Sequence, residues 1–222
     1  LAEIENALSP DVTLLVKAKG PQLDVNASVK LSGVEGSGKA IRIGQFVVSV
    51  DAEQADNALK GSLSTPILAN LETQVFQLPR LAGEFDVASP SLPMKKLKLP
   101  LSGSASADLK KQTANADLAM KLDESNIKAK FAVADIAVLR STFDIAIDKL
   151  NVDKYLPPKK SGETAKASAG AQPEQAIDYS PIKKLDLAGS VKIGDLTASN
   201  IKAQNVSIEV KAKNGRLDVD PL

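Results

Sequence analysis

Alternation of apolar and polar residues with a period of two is the feature that most constrains this chain. It runs unbroken through Leu23–Leu31, where Leu, Val and Ala alternate with Asp, Asn, Ser and Lys. The same pattern covers Ile127–Val133 and Val206–Ala212. Because successive side chains of a β-strand point to opposite faces, each run predicts a strand with one apolar and one polar face. An amphipathic helix would need apolar residues at i, i+3, i+4 and i+7, which these runs lack.

Turn-forming residues separate the runs, at Gly20-Pro21, Gly33–Gly38, Ser89-Pro90, Asp123–Asn126 and Asn214-Gly215. Asn-Gly between two alternating runs is a strong hairpin signal. The sequence therefore predicts an all-β fold, a long and largely antiparallel meander of about a dozen or more strands that curls into a groove or half-barrel. The same alternation also fits a two-sheet sandwich, in which the two apolar faces cover each other.

The chain divides into three stretches. Residues 1–156 are predicted to form a β-sheet region, and residues 179–222 contain strands that complete the same sheet, so that the whole is one domain. Residues 157–178 lie between them and have no large apolar residue before Ile177, which predicts a flexible linker or disordered loop. One or two short helices are predicted, near Ile136–Arg140 and Tyr179–Lys184.

The composition excludes several kinds of chemistry. The chain has no histidine and no cysteine, so the commonest general base, the thiol nucleophile and the usual transition-metal ligands are missing. A net charge of +1 gives no basic field that would attract nucleic acid. We therefore predict no enzymatic activity, no metal, no cofactor and no nucleic-acid partner.

A glycine-rich segment, Gly33–Lys39, fits the first half of a phosphate-binding loop. Ala40 stands where the motif needs Ser or Thr, and the residues after it read as a strand rather than the required helix. We interpret the segment as a glycine-rich turn. Aspartates are frequent in the second half of the chain and are interpreted as solvated strand charges rather than catalytic groups: Asp144, Asp148, Asp153, Asp186, Asp218 and Asp220.

The apolar side of the predicted strands is the candidate functional surface. Its residues come from the clearest alternating runs: Leu23, Val25, Val29, Leu31, Ile127, Phe131, Val133, Ile145, Val206, Ile208 and Val210. No apolar stretch is long enough for a membrane-spanning helix. The chain begins at Leu1 without a methionine or signal peptide, which predicts a piece of a longer protein.

Two stretches resemble the AsmA family of bacterial envelope proteins. Phe143–Pro158, FDIAIDKLNVDKYLPP, is similar to the aspartate-rich strand ending in Tyr-Leu-Pro that marks the family. After a variable linker the family continues with a leucine–glycine strand pair, matched here by Leu185–Ile193, Leu196–Ile201 and Ala212–Leu222. The order and spacing match from about residue 143 to the end, and Leu101–Asp108 is a looser match.

The resemblance implies a place in the periplasm of a double-membraned bacterium, an inner-membrane anchor outside this stretch, and a part in outer-membrane biogenesis. The wider group, which includes TamB-like proteins, is thought to form β-grooves that carry phospholipid between the membranes. Our first hypothesis is a non-catalytic groove that holds or conducts phospholipid acyl chains, whose methylenes each gain ~0.8 kcal/mol on leaving water. The second is an envelope scaffold that binds outer-membrane assembly proteins through its sheet edges. An enzyme is the third.

Overall fold

The computed structural model describes residues 11–20, 23–90, 92, 94–155, 186–213 and 215–221. These residues form one twelve-stranded sheet in which the order of the strands is their order along the chain. The strands are β1 (Val12–Gly20), β2 (Leu23–Gly36), β3 (Ala40–Gln54), β4 (Asn57–Asn70), β5 (Val75–Ala88), β6 (Lys96–Asp108), β7 (Thr113–Leu122), β8 (Ser125–Asp135), β9 (Arg140–Asn151), β10 (Asp186–Ala198), β11 (Ile201–Lys213) and β12 (Arg216–Pro221).

The all-β meander predicted from the sequence is confirmed. Neighbouring strands are antiparallel throughout, except that β9 and β10 run parallel. β10–β12 therefore belong to the same sheet as β1–β9. β1 and β12 lie at opposite edges and do not pair, so the described sheet is open and is not a closed barrel. Substantial contacts between the described strands are all between sheet neighbours, so no second sheet covers this one as in a sandwich.

A line of irregularities crosses β2–β6 at one level of the sheet, and we call it the crease. Gly44-Gln45 of β3 faces the single Pro66 of β4, and Pro79-Arg80 of β5 faces the single Ser104 of β6. On β2, Gly33 has a φ of +62° and lies against Gly44. Such bulges leave ladder positions unpaired, which is where a strand tolerates proline, and they bend and twist the sheet.

The turn within the glycine-rich segment is shorter than we predicted. β2 continues to Gly36, so the turn is confined to Ser37–Lys39, and Gly33 is a strand residue at the crease. The strand predicted after Ala40 is present as β3. The hairpin predicted at Asn214-Gly215 also forms, because Lys213 pairs with Arg216 across the β11–β12 connection.

The helix predicted near Ile136–Arg140 is wrong. Residues 136–139 form a turn, and β9 already begins at Arg140. The carboxylate of Asp135 accepts hydrogen bonds from the backbone N–H groups of Ala137 (3.0 Å) and Val138 (3.3 Å), which fixes a local turn in place of helical hydrogen bonding. The helix predicted at residues 179–184 and the linker at 157–178 lie outside the described residues. A short 3-10 helix, Val152–Lys154, follows β9.

Candidate functional site

One face of the sheet carries an apolar row that crosses almost its whole width. The row takes one residue from each strand from β1 to β11, and each of these residues is the register partner of the next. At about 4.8 Å per strand, the row extends about 48 Å. We call the face that it marks the apolar face. The row consists of Leu14, Val29, Val48, Leu63, Gly83, Leu101, Met120, Ile127, Ile147, Ile193 and Val206.

The adjacent register positions point to the other face, which we call the polar face. Their row is polar or small at every strand except β3, where Val47 lies. It consists of Thr13, Lys30, Val47, Ser64, Ala82, Ser102, Ala119, Lys128, Ala146, Lys192 and Ser207. The single-layer sheet is therefore amphipathic across its width, as alternation within single strands predicts.

The most buried side chains of the described residues all lie on the apolar face. They are Thr65, Ala69, Leu81, Ser125, Ile193 and Ala212. No described strand packs on this face, and the 3-10 helix contacts chiefly β10, so most of this burial comes from side chains on neighbouring strands. Thr65 and Leu81 lie beside the crease, where bulges bend the sheet. This distribution is what a sheet curled towards its apolar face would give.

The same face is only partly shielded. No large side chain of the described residues is fully buried. Phe131, near the middle of β8, is 40% exposed, and Leu14 on β1 is 59% exposed. A packed interior would enclose such residues in contacts on every side. The apolar face is thus a concave surface that is open on the side away from the backbone.

The register places all the predicted surface residues on the apolar face. They come from β2 (Leu23, Val25, Val29, Leu31), β8 (Ile127, Phe131, Val133), β9 (Ile145) and β11 (Val206, Ile208, Val210). The β8–β9 pairing places Ile145 next to the β8 members, and β10 separates Ile145 from the β11 members. The β2 residues lie several strands away on the same face and do not contact the others.

Sequence reasoning missed the contributions of β1, of β3 to β7 and of β10 to this face. In β3, Phe46, Val47 and Val48 are consecutive and hide the alternation. In β1, Leu15 also hides the alternation, because this apolar residue lies on the polar face between two apolar-face residues. The alternation of Leu97, Leu99 and Leu101 in β6 was a usable signal.

Aromatic rings lie over glycines on the apolar face. Phe85 is paired with Gly61 on β4, and Phe143 is paired with Gly189 on β10. A Cβ atom at either glycine would overlap the neighbouring ring. These glycines therefore leave the space in which the rings lie flat across adjacent strands.

Charges on the polar face pair across strands. Lys60 lies 2.9 Å from Asp51, and Lys98 lies 3.3 Å from Glu84 and 3.6 Å from Asp86. The hydrogen bond to Asp51 raises the pKa of Lys60, and the hydrogen bond to Glu84 raises the pKa of Lys98. The side chains of both pairs are largely exposed, so these contacts contribute little stability and chiefly keep this face hydrated.

The aspartates of β9 bind backbone and neighbouring polar groups. Asp148 accepts hydrogen bonds from the side chain (2.6 Å) and the backbone N–H (2.7 Å) of Asn126, and the side-chain bond is the main cause of its lowered pKa. Asp144 accepts a hydrogen bond from Ser190 on β10 at 2.9 Å. No group of three or more acidic residues that could hold a metal ion occurs within the described part of the chain.

Asp153, in the family-like segment after β9, binds the β10–β11 turn. Its carboxylate accepts hydrogen bonds from the backbone N–H groups of Ser199 (2.5 Å) and Asn200 (2.9 Å). Both turn residues have positive φ angles, +52° and +61°. Asn151 in turn accepts a hydrogen bond from the Asp153 N–H at 3.1 Å. The segment that carries the resemblance therefore ties the end of β9 to the turn between β10 and β11.

No family model matches this chain, and no curated protein or solved structure gives a significant match. Of the described residues, none belongs to a helix long and apolar enough to cross a bilayer.

Proposed function

We propose that this chain holds or conducts phospholipid acyl chains along its apolar face, as the non-catalytic periplasmic part of an AsmA-like protein in outer-membrane biogenesis. The observation that carries the proposal is the apolar row from Leu14 to Val206 on a face that no second layer of described strands covers. The resemblance of Phe143–Pro158 and the later strands to the AsmA family supports the membrane setting.

The size of the face argues for a ligand of large apolar area. Rows on one face of a strand repeat about every 6.7 Å, so this row and the row beside it that runs from Val12 to Ile208 span on the order of 600 Å². The largest apolar patch of a typical soluble monomer is about 300–600 Å². An acyl chain on this face would leave water at ~0.8 kcal/mol per methylene, while its head group stays hydrated at the rim.

The experiment uses two adjacent valines of β3 as a matched pair. Val48 lies on the apolar face and Val47 on the polar face. With a photoreactive amino acid at each position in turn, irradiation in cells should attach phospholipid to the position-48 protein and not to the position-47 protein. Val48→Glu should slow transfer of fluorescent phospholipid between vesicles, and Val47→Glu should leave it unchanged. Equal labelling at both positions, or no lipid in protein purified without detergent, would overturn the proposal.

The exposed sheet edges favour a second candidate, an envelope scaffold that binds outer-membrane assembly proteins. Every residue of β1 is exposed, including Leu15 at 65%, and its outer edge pairs with no described strand. β12 likewise exposes Leu217 and Val219. Such edges can accept an added strand from a partner. Crosslinks to protein from position 15, with no lipid captured at position 48, would favour the scaffold.

A further inference from the structure

A trough lies within the apolar face along β6 and β7. Two successive register rungs place small side chains on these strands and large ones on the strands beside them. One rung runs Leu78, Ala105, Ala116, Phe131, and the next runs Phe76, Ala107, Ala114, Val133. Alanine methyl groups thus form the floor between walls on β5 and β8. Together with Ile67, these residues line a cavity of about 440 Å³.

The two ends of the trough differ. Towards the lower end, away from the β6–β7 turn, the next rung pairs Gly103 with Leu118, whose side chain lies over the glycine. The rung after it pairs Leu101 with Met120, so that large side chains close this end. At the upper end the floor strands run out into the Leu109–Gln112 turn. From Ala105 to that turn is about 13 Å at ~3.3 Å per residue. The trough is therefore blocked at one end and open at the other.

The open end carries positive charge. Lys111 is paired with Asp108 at 3.0 Å. The Lys110 ammonium donates to the backbone carbonyl of Glu72 at 2.6 Å and forms no ion pair with a carboxylate of the described residues. The Glu72 carboxylate instead lies 4.0 Å from Lys39. One ammonium at the mouth is thus left without a counter-charge from this turn.

We propose that the trough holds a single alkyl chain of an anionic amphiphile, with its methyl end against Leu118 and its anionic head group at Lys110. This inference rests on the proposed function and names one site and one orientation within it. The occupant is an alkyl chain rather than a peptide because the backbone groups of β6 and β7 are already paired with each other and the walls are hydrocarbon. A peptide there would leave its own N–H and C=O groups without partners.

Binding of radiolabelled decanoate, whose extended chain matches the length of the trough, and of its uncharged methyl ester to the full chain tests the proposal. Ala116→Leu places a larger side chain on the floor, and Ala119→Leu on the same strand makes the same change on the polar face. Ala116→Leu should weaken decanoate binding at least about tenfold because the side chain displaces about three methylenes of the ligand. Ala119→Leu should leave binding unchanged. Ala107→Leu, on the other rung, repeats the test if the first variant folds poorly by circular dichroism.

The head-group position is tested separately. Lys110→Gln should weaken binding of decanoate but not of the methyl ester, whereas Lys121→Gln, on the polar face of β7, should affect neither. Unchanged decanoate binding by both floor variants, or equal effects of Lys110→Gln on acid and ester, would overturn the inference. If the inference fails in this way while the Val47 and Val48 variants still differ in phospholipid transfer, only the trough site is refuted and the proposed function stands. Absence of both decanoate binding and phospholipid transfer would refute the proposed function as well.

Discussion

Replacing Asp153 by alanine should destabilise the β10–β11 hairpin. In the wild type the carboxylate accepts hydrogen bonds from the backbone N–H groups of both residues of a two-residue turn, Ser199 at 2.5 Å and Asn200 at 2.9 Å. Both residues have left-handed φ angles, which non-glycine residues adopt at a cost. Without the carboxylate, the turn keeps its unfavourable backbone conformation and loses the contact that holds it.

The expected loss follows from these two bonds. A hydrogen bond to a charged group contributes roughly 1.5–3 kcal/mol, and exposure of the turn to water reduces this because freed N–H groups can be hydrated. We expect Asp153→Ala to lower the free energy of unfolding by about 2 kcal/mol. Asp153→Asn, which keeps one carbonyl oxygen, should lose about half as much.

Urea unfolding measures the free energy, and hydrogen exchange of the Ser199 and Asn200 amides reports on the turn directly. Asp195→Ala is the matched control, because this carboxylate lies on the same hairpin but accepts a side-chain amide, that of Gln204 at 2.9 Å. The control should cost no more than about 0.5 kcal/mol. If Asp153→Ala costs no more than the control and both turn amides exchange as in the wild type, the assigned role of Asp153 is refuted.

Three further predictions concern the sheet itself. Gly61→Ala should destabilise the fold by about 1–3 kcal/mol because its Cβ would overlap the Phe85 ring and the Glu84 carbonyl, and combining it with Phe85→Ala should remove only the part due to the ring in denaturant unfolding. Ile193→Ala should cost about 2–4 kcal/mol in free energy of unfolding, and a loss below about 1 kcal/mol would mean that the apolar row is not packed at β10. Because the folded-state pKa of Asp148 is lowered, its contribution to stability is present above the ordinary carboxyl pKa and is lost as the pH falls through the folded value. The difference in stability between wild type and Asp148→Asn should therefore shrink on acidification below about pH 4, and a difference that stays constant from pH 6 to 3 would contradict this.

The sequence was sufficient to predict the stretches of strand that lie between irregularities. Leu23–Leu31, Ile127–Val133 and Val206–Ala212 alternate cleanly, and the all-β meander follows from them. β3 and β5 were harder because a bulge shifts which positions face the apolar side. On β5, Leu78 and Leu81 lie on the same face although they are three residues apart, with Pro79-Arg80 between them. A window that looks for a strict period of two does not recognise such a strand.

Other features depend on contacts between distant residues, which a local pattern does not encode. The parallel pairing of β9 with β10 joins two strands that are far apart in the sequence. The contact from Asp153 to Ser199 bridges 46 positions and gives no periodic signal. The trough likewise required the register, because its alanines become a continuous floor only when Ala105 is known to face Ala116.

Because each strand of the meander packs only against its neighbours, the number of strands, and with it the width of the sheet, can change. Each strand contacts the strands on either side and little else, so stability is close to a sum over adjacent pairs, as in repeat proteins. Insertion of one more hairpin would preserve the facing of every existing row and lengthen the apolar face by about 9.6 Å. A sheet of this kind can thus be matched to a required span by gaining or losing hairpins, without redesign of a central core.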